Sequence, residues 1–149
     1  MWTPLVMRWR FGVCYPRSLH AWDRAVSASI LVADDEPNIV LSLEFLLKQA
    51  GFRVRTVSDG EAALAAIAQE LPDLLLLDVM IPGRDGYAVC QEIRGNPAWR
   101  GMHIIMLTAK GGEIQREKGL SLGADEYVTK PFSTRELVER IRRMLGPRG

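Results

Sequence analysis

Five side chains able to act together stand at the ends of short apolar runs. Ile30–Ala33 leads into Asp34 and Asp35, and the leucine run 74–77 into Asp78. Ile104–Leu107 leads into Thr108, and Lys130-Pro131 follows Glu126–Val128. Three carboxylates gathered in one place repel one another, and at least one takes up a proton unless a cation is present. A hard divalent ion such as Mg2+ resolves that conflict, because it prefers oxygen ligands and often takes one or two carboxylates with water and phosphate. A carboxylate beside such an ion is able to attack a phosphoryl donor and become an acyl phosphate. An ammonium and a hydroxyl nearby would stabilise charge on the transferring oxygens. Taken singly, each residue has a plainer reading. Asp34 or Asp35 suits a helix N-cap or first turn, Asp78 the turn before Pro82, Thr108 a turn hydroxyl, and Lys130 a solvated charge. The sharper reading needs a fold that carries all five to one edge.

The pattern from Ser29 onward supplies such a fold. Apolar residues at Ile39, Leu43, Leu46, Leu47 and Ala50 give helical spacing over Glu36–Ala50, stopped by Gly51. Arg53–Val57 alternates as a strand, and Ala-rich Asp59–Gln69 reads as a helix. Leu74–Leu77 alone fits helix or strand, but Pro72 and Pro82 leave room only for a short element. A short run apolar on both faces is a buried strand of a parallel sheet. Tyr87–Arg94 is the next helix, closed by Gly95-Asn96-Pro97, and Ile104–Leu107 the next strand. A rather polar helix, Glu113–Leu122, and a short strand, Glu126–Val128, follow. Ser133–Leu145 is a helix with a capping box, Ser133 with Glu136, and an apolar face of Leu137, Val138, Ile141, Met144 and Leu145. Five strand–helix units in strict alternation imply an α/β fold, a parallel sheet with helices on both faces. In such sheets, sites form just outside the carboxyl ends of the strands.

Composition narrows the function classes. The 149 residues are 48% hydrophobic and 25% charged, with a net charge of +1. That is ordinary for one globular domain and gives no global field toward nucleic acid or membrane. Arginines nonetheless crowd both ends, with Arg8, Arg10, Arg17 and Arg24 early and Arg135, Arg140, Arg142, Arg143 and Arg148 late. Cys14 and Cys90 are far apart, with no partner at metal-ligand spacing, and read as free thiols in a reducing cytoplasm. No apolar run approaches the ~20 residues of a membrane span, and no signal-peptide order is present. A cytoplasmic location is expected.

The segments ILVADDEPNIV, TVSDGEAALAAI, PDLLLLDVMIPGRDGYAVCQEIR, HIIMLTAK and GADEYVTKPF carry a family resemblance. From about Ser29 to Gly146 the chain resembles the receiver domain of bacterial two-component response regulators, in particular the stand-alone, chemotaxis-regulator-like kind. The resemblance implies a doubly wound, five-stranded parallel sheet of flavodoxin-like order 2-1-3-4-5. It implies that Asp78 is the phosphoacceptor and that Mg2+ is held by Asp34, Asp35, Asp78 and the backbone carbonyl of Met80, with Asp35 a more direct ligand than Asp34. Thr108 and Lys130 would contact the phosphoryl group, and Lys130-Pro131 would be a cis peptide. Thr108 and Tyr127 would form the switch, Tyr127 rotating inward while the face made by the fourth helix, fifth strand and fifth helix changes. His103 departs from the pattern, standing where Pro is frequent. Met80 and Lys110 flank the site at positions that influence phosphoryl lifetime.

The expected division is a leader, residues 1–27, and a receiver domain, residues 28–147. The leader holds Trp2, Trp9 and Trp22 among Arg and Pro without a clean period. It is expected to be disordered or an artefact of the assigned start, ahead of a docking peptide. Only Pro147-Arg148-Gly149 follows the last helix, so a stand-alone receiver acting through another protein is expected. Its partners would be a sensor histidine kinase or histidine phosphotransfer protein and an unknown downstream protein. Neither direct DNA binding nor a membrane contact is expected, and a homodimer stays open. Such a module modifies itself and is not an enzyme with turnover on an outside substrate. A phosphatase or mutase of related topology would need D-x-D, but Val79-Met80 follows Asp78. A flavin site would need phosphate-cradling residues where Asp34-Asp35-Glu36 stand. A phosphorylation-independent docking module is the remaining alternative.

Overall fold

The computed structural model describes residues 28–109 and 112–145. The leader, Cys14, Lys110 and residues 146–149 lie outside the described residues. Five strands form one parallel sheet: β1 (Ser29–Ala33), β2 (Arg53–Val57), β3 (Leu74–Asp78), β4 (His103–Thr108) and β5 (Glu126–Thr129). Their order is β2-β1-β3-β4-β5, as the resemblance implies. The helices are α1 (Pro37–Gln49), α2 (Gly60–Gln69), α3 (Gly86–Arg94), α4 (Glu113–Ser121) and α5 (Thr134–Leu145).

The two-residue period of a strand divides the leucine run between two cores. Leu74 and Leu76 pack with Ile30, Val32, Ile105 and Leu107 beneath α1 and α5, through Leu43, Leu47, Leu137, Val138 and Ile141. Leu75 and Leu77 join Leu31, Ala33, Ile104 and Met106 on the other face, against Ala63 and Ile67 of α2 and Val89, Cys90 and Ile93 of α3. β1 and β3 are buried throughout, whereas β2 at the edge has only exposed and half-buried positions. Cys90 is a free, buried thiol whose burial pushes its pKa up to about 11, so it packs as a small apolar group.

Caps and punctuation fall where the residues require. Pro37 occupies the first turn of α1. Asp59 and Asp85 cap α2 and α3 by accepting the Ala62 and Tyr87 amides at 2.7 Å each. The Ser133 hydroxyl accepts the Glu136 amide at 3.2 Å, one half of the expected capping box. Gly95-Asn96-Pro97 ends α3 but also opens one 3-10 turn, Pro97–Trp99, in which Asn96 accepts the Ala98 amide.

Arg94, at the end of α3, ties together the side of the sheet opposite the acidic residues. Its guanidinium donates to the carbonyls of Gly123 at 2.9 Å, Arg100 at 3.0 Å and Met102 at 2.7 Å, and to Asp125 Oδ2 at 3.1 Å. The same Asp125 oxygen accepts the Ile104 amide at 2.8 Å, which fixes the start of β4. Replacing Arg94 strands several acceptors at once, so Arg94→Met is expected to lower unfolding stability by about 3 kcal/mol in urea titration. A loss under about 0.5 kcal/mol, the size of an ordinary surface substitution, would show that these bonds hold nothing in place.

Candidate functional site

Strand register delivers the five chemistry-bearing residues to one edge. Ala33 pairs with Leu77, so Asp34 and Asp78 leave their strands side by side. Asp78 pairs with Leu107 and Thr108 with Thr129, which puts Thr108 and Lys130 one step beyond. Backbone bonds carry the pairing past the strand ends, from the Val79 amide to the Leu107 carbonyl at 3.1 Å and from the Lys130 amide to the Thr108 carbonyl at 2.7 Å. The Lys130-Pro131 peptide is cis, as expected.

Asp34, Asp78 and Thr108 are buried and Asp35 is exposed. Carboxylate oxygens of Asp34, Asp35 and Asp78 all lie within 4.8 Å of one another. Lys130 Nζ sits among acids, 3.0 Å from Asp34 Oδ2, 2.8 Å from Glu36 Oε1 and 3.6 Å from Asp78 Oδ2. The Glu36 amide donates to Asp34 Oδ1 at 2.9 Å, and the Met80 amide to Asp78 Oδ1 at 3.0 Å. Gly86 lets α3 begin against the acceptor strand, since a Cβ there would lie 2.7 Å from Val79 Cα and 2.8 Å from the Asp78 carbonyl.

Burial raises the Asp78 pKa above its ordinary 3.8. The Met80 amide and Lys130 pull it down, while the charges of Asp34 and Asp35 push it up, and the balance stays upward. Burial alone would lower Lys130, but its bonds to Glu36 and Asp34 and the charges of Asp34 and Asp78 prevail and raise it above 10.5. Four carboxylates, those of Asp34, Asp35, Glu36 and Asp78, stand around this one ammonium. The cluster's donor set, three close carboxylates with only oxygen to offer, suits a hard divalent ion such as Mg2+.

Glu36 belongs to this arrangement although the pattern gave it only a helix start. It stands at the N-cap of α1 without a side-chain cap bond, and its carboxylate takes Lys130 instead. The sequence signal was the run Asp34-Asp35-Glu36 itself. Tyr127 is buried, and its hydroxyl lies 3.3 Å from that of Tyr87, a residue the period does not distinguish from an ordinary core aromatic.

Opposite stability effects follow in metal-free buffer. A raised carboxyl pKa stabilises the fold fully below pH 3.8, and that contribution is lost as pH rises through the raised folded value. Asp78→Asn is therefore expected to raise stability at pH 7 by about 1 kcal/mol and to flatten its decline above pH 3.8. Lys130 contributes fully below pH 10.5 and loses its contribution above it. Lys130→Met is expected to cost about 2 kcal/mol at pH 7. Urea midpoints across pH check both signs, and equal losses in the two variants would refute the charge imbalance.

The arrangement has close counterparts. The family model for the response regulator receiver domain matches residues 30–142. The receiver domain of the sensor histidine kinase PA1611 from Pseudomonas aeruginosa, solved with a magnesium ion coordinated in its active-site cleft, is 34% identical. The match covers 80% of this chain and 98% of that one, with a TM-score of 0.73. The BeF3-activated N-terminal receiver domain of Klebsiella pneumoniae RstA is 32% identical over 78% of this chain and 97% of that one, with a TM-score of 0.72. The chemotaxis response regulator CheY4 of Vibrio cholerae is 28% identical over 78% and 98%, with a TM-score of 0.74. In sequence as in strand order, the chain belongs to the response regulator receiver domain family.

Proposed function

We propose that the protein is a phosphoacceptor signalling module of a two-component phosphorelay. A carboxylate oxygen of Asp78 attacks the phosphorus of a phosphohistidine on a sensor histidine kinase or histidine phosphotransfer protein. The new P–O bond forms as the P–N bond breaks, and the electron pair of that bond stays with the departing imidazole. The observation that carries this reading is the placement of Asp78, buried among two further carboxylates with Lys130 Nζ at 3.6 Å. Asp34, Asp35, Asp78 and the backbone carbonyl of Met80 would hold Mg2+, which when bound supplies positive charge to the acidic cluster and to the phosphoryl oxygens.

The chain's own groups then have distinct tasks. Lys130 shifts from its bonds with Asp34 and Glu36 toward the new phosphoryl oxygens, a short move because Asp78 is already close. The Thr108 hydroxyl, at the end of β4, donates to the phosphoryl group. With Tyr127 it couples the site to the face formed by α4, β5 and α5, through which a downstream protein is bound in the cytoplasm. The module modifies itself and turns over no outside substrate. The Mg2+-bearing PA1611 domain and the BeF3-activated RstA domain are relatives that support this reading. Among the described residues no helix is long and apolar enough to cross a membrane.

Intact mass after incubation with Mg2+ and acetyl phosphate is expected to show one added phosphoryl group, absent without Mg2+ and absent in Asp78→Asn. No adduct on folded, metal-binding protein that also fails to bind beryllofluoride would leave phosphorylation-independent docking as the function. Mg2+ is also expected to raise the unfolding free energy of the wild type, read from its urea titration, by about 2.7 kcal/mol when its concentration is 100 times the dissociation constant. Asp35→Asn should remove most of that gain; an undiminished gain would place the ion elsewhere.

A further inference from the structure

Tyr127 is held by a chain of groups that begins at the site and ends on α4. The Tyr87 hydroxyl donates to Gln115 Oε1 at 2.8 Å and lies 3.3 Å from the Tyr127 hydroxyl. The Tyr127 phenol is pushed well above its ordinary 10.0 by burial first, and further by its bond to Tyr87, while a bond with Thr108 pulls it back. Each hydroxyl has one proton: Tyr87 gives its own to Gln115, so Tyr127 gives its own to Tyr87, and Thr108 is left to donate to the Tyr127 oxygen. Lys118 Nζ stands 4.3 Å from the centre of the Tyr87 ring, a second tie between that ring and α4. On its other side the Tyr127 ring lies against Gly119, where a Cβ would come within 2.8 Å of Cδ1 and 3.0 Å of Met106 Sδ.

We propose that Tyr87 is a positioning residue for Tyr127, its hydroxyl, anchored on Gln115, holding the ring inward against Gly119 whatever the state of Asp78. Tyr87 is carried by the turn that starts α3, and Gly86 before it touches the Asp78 carbonyl and Val79, so the anchor is built directly onto the acceptor strand. Thr108 has one hydroxyl proton. When it donates to a phosphoryl oxygen it leaves Tyr127, but the acceptor that Tyr127 itself needs remains in place. Removing the Tyr87 oxygen would strand a buried phenol donor, which then gains by turning out to water. The proposal goes beyond the phosphoacceptor reading, and only its beryllofluoride arm rests on it.

The test uses the full chain with labelled tyrosine and reads the nuclear Overhauser contact between the Tyr127 ring and Gly119. Wild type is expected to show it equally with and without Mg2+ and beryllofluoride. Tyr87→Phe keeps the ring and the Lys118 contact, and in ligand-free buffer its inward-to-outward ratio is expected to fall about five-fold. An undiminished contact in Tyr87→Phe overturns the proposal, as does a wild type in which the contact appears only with beryllofluoride. If Tyr87→Phe does not fold, Gln115→Ala replaces it, with a fall of about two-fold expected and an unchanged contact decisive against. Amide shifts around Asp78 report separately whether beryllofluoride binds. If none move, the phosphoacceptor reading fails, while the comparison in ligand-free buffer still decides the role of Tyr87.

Discussion

The repulsion among Asp34, Asp35 and Asp78 is the constraint on which the rest of the structure turns. Nothing in the packing of a sheet asks for three acids at one edge, and two of them are buried. The fold tolerates them because Lys130 is delivered into their midst and because amides of Glu36 and Met80 point at Asp34 and Asp78. Burial first, and the charges of Asp34 and Asp35 after it, still hold the Asp78 carboxyl above its ordinary range. Apolar strands buried on both faces raise the stakes, since charge at their ends is poorly screened. A site held short of neutrality is a site that favours whatever brings positive charge, which is the property a metal-assisted phosphoacceptor needs.

Much of this was legible in the order of residues, for physical reasons that differ by element. β1, β3 and β4 announce themselves because central parallel strands must be apolar on both sides, and Pro72 and Pro82 kept the leucine run short. Once those strands are parallel, their carboxyl ends share an edge, so all five candidate residues were legible together. The 3-10 turn at Pro97–Trp99 was not, because Gly95-Asn96-Pro97 signals a stop equally well with or without one more turn.

Side-chain partnerships were the least legible. Lys130 and Glu36 are 94 positions apart, and Tyr87 and Tyr127 40. Periodicity assigns each a face of its own element but does not say which polar tip meets which. Glu36 looked like a helix-start acid and became a lysine ligand because the Lys130 side chain, leaving the end of β5, reaches back to the acids that follow β1. Tyr87 was read only as the start of a helix; its ring is core, while its hydroxyl meets Gln115 and Tyr127.

Thr108 is where the charged site and the tyrosine relay meet, and its single proton makes the two compete. In the relay, the Tyr127 and Tyr87 hydroxyls each donate once and accept once, which is the condition under which buried hydrogen bonds reinforce one another. Withdrawing Thr108 removes the first donor but leaves Tyr127, Tyr87 and Gln115 paired. The bonds that remain hold the aromatic ring where Gly119 makes room for it, because the last of them is anchored on the helix that carries that glycine.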